Sequence, residues 1–157
     1  MIEHDGRVIA DSPAILEYLE QIKPEPRLFP TDAPRATEMR IFIDWFNRVW
    51  KRSPNTITFE LMGDDPDQAN IERHTARIGA SLDWFESLLE GRDYLFGDEL
   101  SAADVVVFPF LKFGRGLDPG DDYLFHRVLQ ERTALDSHPH LAAWVERIDA
   151  LPRTPAI

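Results

Sequence analysis

The sequence predicts a mainly helical protein in which a bundle of amphipathic helices follows a short β-hairpin and one helix. Three observations carry that expectation. Asp5-Gly6 separates two β-capable runs at the start, four prolines crowd residues 23–34, and apolar residues recur at three- and four-residue spacing beyond them.

Met1-Ile2-Glu3-His4 and Arg7-Val8-Ile9-Ala10 flank the Asp-Gly pair. A two-residue Asp-Gly between short β-capable runs is a strong hairpin signal, so an antiparallel pair of strands opens the chain. Ser12 is expected as an N-cap with Pro13 at the first helical position, and Ile15, Leu16, Leu19 and Ile22 form one stripe before Pro24 stops the helix. The proline-rich stretch reads as a semi-rigid linker with a boundary near residues 29–34, which divides the chain into units 1–30 and 31–157.

Met39, Phe42, Ile43, Phe46, Val49 and Trp50 recur at helical spacing, as do Ile71, Ile78, Leu82, Phe85 and Leu89. Two long antiparallel helices are expected, parted by Ser53-Pro54 and Gly63-Asp64-Asp65-Pro66. Val105-Val106-Val107-Phe108-Pro109-Phe110 has strand propensity, but Ser101 and Asp104 have the spacing of a capping box, with Leu100 and Val105 placed as a hydrophobic staple. A buried helix from Ser101, bent at Pro109, is the better fit. A weaker helix follows over 122–134. Leu141, Trp144, Val145, Ile148 and Leu151 mark the last helix, ended by Pro152.

Composition narrows the function classes. With 43% hydrophobic residues the chain is too apolar for disorder, and no run approaches the ~18 apolar residues of a membrane span. Residues 1–6 include Glu3 and Asp5 rather than a basic leader, so a cytoplasmic location is expected, with no membrane partner. The absence of cysteine excludes disulfides, thiolate metal sites and cysteine nucleophiles within these residues. A formal charge of −11 opposes nucleic acid as a partner, and an anionic small ligand would need local donors such as a helix N-terminus.

Three segments together resemble the cytosolic glutathione transferases. Asp5-Gly6-Arg7-Val8-Ile9-Ala10-Asp11-Ser12-Pro13-Ala14-Ile15 is similar to that family's third and fourth strands and third helix, where an acidic residue or Gln precedes a Ser. Gly97-Asp98-Glu99-Leu100-Ser101-Ala102-Ala103-Asp104 resembles the capping box of its buried helix, and His138-Pro139-His140-Leu141-Ala142-Ala143-Trp144 the start of a late helix. The resemblance implies a glutathione-transferase C-terminal helical bundle behind the tail of a thioredoxin-like domain. It also implies conjugation of glutathione to a hydrophobic electrophile, and a homodimer. In the family, the thiol-activating Tyr, Ser or Cys and a cis-proline precede the matched segments, so no residue here is assigned the catalytic role. The expectation is that the chain alone is inactive; the alternative is a non-catalytic helical dimerisation or protein-interaction module.

Candidate sites follow from chemistry. The γ-glutamyl end of glutathione is a zwitterion, and Asp11 suits its ammonium while the Ser12 hydroxyl and first-turn amides suit its carboxylate. Taken without the resemblance, Ser12 is an N-cap and Asp11 a surface charge favoured by the helix dipole. Trp45, Phe46, Val49 and Trp50 exceed one narrow stripe, so they either fill a wide core or present a hydrophobic substrate or dimer face. Ser101 and Asp104 are fold determinants, worth about 1 kcal/mol per cap interaction. His138 and His140 lack a third ligand at supporting spacing, so no metal is expected.

Overall fold

The computed structural model describes residues 1–152, so the end of the unit expected over 31–157 lies outside the described residues. Strands β1 (Ile2–His4) and β2 (Arg7–Ile9) pair antiparallel, with Ile2 opposite Ile9 and His4 opposite Arg7. Asp5 and Gly6 both take positive φ, 51° and 74°, as the tight turn requires. Helix α1 (Ser12–Ile22) follows and is tied to the hairpin through Tyr18, whose hydroxyl lies 2.6 Å from His4 Nδ1. The N-cap is Asp11 and not Ser12, because the Asp11 carbonyl accepts the first helical bond, from Ile15 N–H at 2.9 Å. Neither side chain caps the helix, and Ser12 becomes its first residue.

Helix α2 (Ala33–Trp45) begins at Asp32, which accepts the Arg35 N–H at 3.0 Å. It runs through a π-helical turn, Phe46–Trp50, into α3 (Arg52–Met62), and a loop leads to α4 (Gln68–Leu89). The break expected at Ser53-Pro54 is absent. Pro54 sits in the first turn of α3, where its missing N–H deprives no carbonyl of a helical partner, so the chain turns through the proline and stays helical. The antiparallel pairing with α4 is therefore made largely by α3. On α4, Ile71, Ile78, Leu82, Phe85 and Leu89 are buried, each contributing up to about 1.5–3 kcal/mol of transfer free energy.

The remaining helices close the bundle. Helix α5 (Ala102–Leu111) is buried along most of its length and packs on α2 and on the last helix, α7 (Pro139–Asp149). Pro109 lies inside it, and a 3₁₀ turn, Lys112–Arg115, ends it. Helix α6 (Leu124–Arg132) packs against that turn and against α3. Contact between α6 and the turn is so close that a Cβ on Gly114 would stand 2.0 Å from the Thr133 carbonyl oxygen. Trp144, Phe46, Phe85 and Met39 are the largest wholly buried side chains, and they belong to one continuous core. Among the described residues no helix is long and apolar enough to cross a membrane.

Candidate functional site

The start of α1 faces α2 across a cavity of about 390 Å³. Asp11, Pro13 and Glu17 line one side, and Arg40, Asp44, Asn47 and Arg48 the other. Asp11 and Ser12 are exposed, and with no side-chain cap the first-turn amides of Ser12 and Ala14 remain available beside the positive end of the helix dipole. An acidic group thus stands next to a cluster of donors, the arrangement an amino-acid zwitterion needs. One donor in the cavity is conspicuous: Asn47 Nδ2 is buried without a hydrogen-bond partner. Such an amide costs about 1–3 kcal/mol if left unsatisfied, so it favours an acceptor in the cavity.

Lys51 adds charge nearby. Its ammonium stands 4.1 Å from the centroid of the Phe110 ring and 5.6 Å from that of Phe46. Burial lowers its pKa, and the charge of Asp11 works against that shift. Lys51 and Asp11 therefore feel one another across the gap between α3 and α1. Arg40, Asn47, Arg48 and Lys51 are absent from the sequence-based assignment. The available signal was a polar row at three- and four-residue spacing, running from Arg40 on α2 through the π-helical turn to Lys51.

The aromatic run divides. Phe46 and Trp50 are core residues, stacked with centroids 4.6 Å apart, and the Trp50 indole donates to Ser81 Oγ at 2.7 Å. Val49 is 56% exposed. Trp45 is half-buried and lines a larger cavity of about 800 Å³ between α2 and α4, together with Ile41, Phe42, Trp84 and Phe96. Its ring lies 5.3 Å from that of Trp84, and Phe42 touches both. This groove is walled by apolar groups, with Arg35, Glu38 and Arg92 also along it.

Ser101 and Asp104 form the capping junction at the head of α5, where Asp104 accepts the Ser101 N–H at 2.9 Å and its hydroxyl at 2.5 Å. Asp104 also accepts the Leu95 N–H and the Trp144 indole, so one buried carboxylate joins the loop before α5 to α7. The histidines at the start of α7 have partners of their own: His138 Nε2 lies 3.0 Å from Asp83 Oδ1 and His140 Nδ1 2.7 Å from Glu86 Oε1. Glu86 further accepts the His140 and Leu141 amides, capping α7 from a neighbouring helix. Among the described residues no three His, Asp or Glu side chains converge as metal ligands would.

Comparison with known proteins gives a consistent picture. Residues 68–147 match the family described as glutathione S-transferase, C-terminal domain. The chain is 27% identical over 184 residues to protein LigF of a Sphingobium species, covering 95% of this chain and 68% of that protein. FtsZ-localized protein A of Caulobacter vibrioides is 32% identical over 104 residues, 62% of this chain and 46% of its own length. The crystal structure of a glutathione S-transferase from Rhodospirillum rubrum superposes with a TM-score of 0.70 at 26% identity, over 96% of this chain and 64% of that one. The chain thus spans between about half and two thirds of the length of these relatives.

Proposed function

Because the chain belongs to the glutathione S-transferase family, we propose that it binds glutathione at the start of α1 and that its lineage conjugates that thiol to hydrophobic electrophiles. The observation that supports this most is that Asp11, whose exposed carboxylate lines the cavity, directly precedes the uncapped first turn of α1. Asp11 receives the γ-glutamyl ammonium. The Ser12 hydroxyl and the Ser12 and Ala14 amides receive the carboxylate, which the helix dipole also favours. Asn47 offers its free amide to a carbonyl or carboxylate further along the tripeptide.

Conjugation depends on a group that lowers the thiol pKa and orients the sulfur. On this reading the activity resides in a polypeptide of the relatives' length, and the 157-residue chain supplies binding and assembly with little turnover of its own. The groove between α2 and α4 serves a different purpose: it seats a second copy, giving a homodimer. Support for that comes from large apolar side chains left open along it, Ile41 at 66% and Trp84 at 44% exposure. The protein is proposed to work in the cytoplasm.

Isothermal titration of the chain with glutathione tests the first part. Saturable binding is expected, weakened about tenfold or more by Asp11→Asn or Ser12→Ala, the loss of one charge-assisted hydrogen bond. Binding indifferent to both substitutions would sink the assignment. Turnover of an aryl halide with glutathione at a rate matching a full-length relative would refute the inactivity of the chain.

A further inference from the structure

A second charged cavity lies on the seam between α3 and α4, apart from the start of α1. It measures about 240 Å³, and Arg52 and Arg77 line it with Trp45, Val49 and Ser53. Acidic residues outnumber basic ones 28 to 17 in this chain, and Arg40, Arg48, Arg115 and Arg147 each hold a carboxylate. Arg52 and Arg77 do not. Among the described residues neither guanidinium has a hydrogen bond or a carboxylate within ion-pair distance.

Glu60, the acid whose charge acts on neighbouring His74, is already engaged. It accepts the Asn70 side-chain amide at 2.6 Å and the Asp67 N–H at 3.0 Å. Arg73, on the same helix as Arg77 but outside the cavity lining, donates to Asn70 at 2.8 Å. Buried His74, whose Nδ1 lies 3.0 Å from Ser53 Oγ, registers the accumulated charge: burial, then Arg77, Arg73 and Arg52, depress its pKa, and Glu60 opposes them weakly. His74 is therefore neutral at physiological pH, and the cavity carries the charge of its arginines.

Arg52 and Arg77, both exposed and lining the one cavity, present two unpaired guanidinium groups to an anion. A dianion neutralises them better than a monoanion, and the guanidinium fork matches phosphate oxygens bidentately. The cavity falls below the roughly 300–1,000 Å³ typical of sites for drug-sized ligands, so a nucleotide is too large. Val49, more than half exposed, and Trp45 give the organic part an apolar wall.

We propose that this cavity binds a small phosphate monoester, its phosphate held by Arg52 and Arg77 and its organic group against Val49 and Trp45. The site is separate from the one proposed for glutathione, and it stands or falls on different residues.

Phenyl phosphate is the probe, with benzoate as a monoanion carrying the same ring. Titration of the chain should show saturable binding of phenyl phosphate at one per chain, with benzoate at least tenfold weaker. Arg52→Gln and Arg77→Gln should each weaken phenyl phosphate about tenfold or more, while Asp11→Asn leaves it unchanged. In the unsubstituted chain, the Arg52 and Arg77 Nε–H resonances should shift on addition of phenyl phosphate, a readout that does not depend on either variant folding. Absence of saturable binding, benzoate binding as tightly, or unmoved arginine resonances would each overturn the proposal.

Discussion

Asp104 Oδ1 accepts the Trp144 indole N–H at 2.8 Å, across 40 residues of sequence and with both side chains wholly buried. The same carboxylate serves Leu95 and Ser101, so four donors depend on it. Asp104→Ala strands them in the core and should cost about 4 kcal/mol or more in urea unfolding. Asp104→Asn keeps one acceptor and turns the other oxygen into a donor that faces donors, so a loss of about 2 kcal/mol is expected. An Asp104→Asn protein as stable as its parent would show that volume, not hydrogen bonding, sets the energy.

Gly114 and Gly79 should respond oppositely to alanine. A Cβ at Gly114 meets the Thr133 carbonyl oxygen at 2.0 Å and Leu135 Cγ at 2.9 Å, and backbone cannot give way as a side chain tip can. Gly114→Ala should cost about 3 kcal/mol. Gly79, inside α4, has nothing within 4 Å, and Gly79→Ala should stabilise by about 0.5–1 kcal/mol through helix propensity. Thermal unfolding of both variants measures the contrast, and a Gly114→Ala protein as stable as its parent would contradict the packing described.

Acid should loosen the attachment of α7. Burial raises the Glu86 pKa, but hydrogen bonds from the His140 and Leu141 amides and from the His140 ring outweigh it, so the net shift is downward from 4.5. A carboxyl whose folded pKa lies below its unfolded one stabilises the fold above the unfolded value. That contribution is lost as pH falls below about 4.5 and through the folded pKa. Glu86→Gln should lower stability at pH 7 and flatten its fall below pH 4.5, measured by urea midpoints across pH. An unchanged slope would remove Glu86 from the account.

Pairing through the α2–α4 groove is tested by charge. Trp84→Glu places a carboxylate where the proposed second copy would lie, and should convert a dimer to a monomer in sedimentation equilibrium. Trp84 is 44% exposed, so the fold should survive the change. A variant that stays dimeric would move the interface elsewhere.

Much of this architecture was legible in local chemistry. The Asp5-Gly6 turn and the Ser101–Asp104 junction are short-range devices that work within four residues, and both stand where the sequence places them. Helix α3 was hidden because Pro54 breaks a helix interior and is harmless in a first turn, a distinction that depends on where the preceding turn ends. Phe46–Trp50 supplied the rest of the difficulty: a π-helical turn puts an extra residue into the repeat, and a face drawn at 3.6 residues per turn then assigns core and surface wrongly. Phe46 and Trp50 accordingly go inward and Val49 outward. The polar row of Arg40, Asn47 and Arg48 is visible in the spacing, but its role as a cavity wall depends on α1 facing it, which no local pattern reports.

The close approach of Trp45 and Trp84, rings 5.3 Å apart and tilted by 73°, has a practical corollary. Two indoles at that separation couple their strongest transitions and leave a paired signature in far-ultraviolet circular dichroism. Trp50 and Trp144, sealed in the interior, contribute a steady background. The molecule thus carries a built-in optical gauge on the surface proposed to seat a second copy, and occupation of that surface can be followed by light without attaching a label.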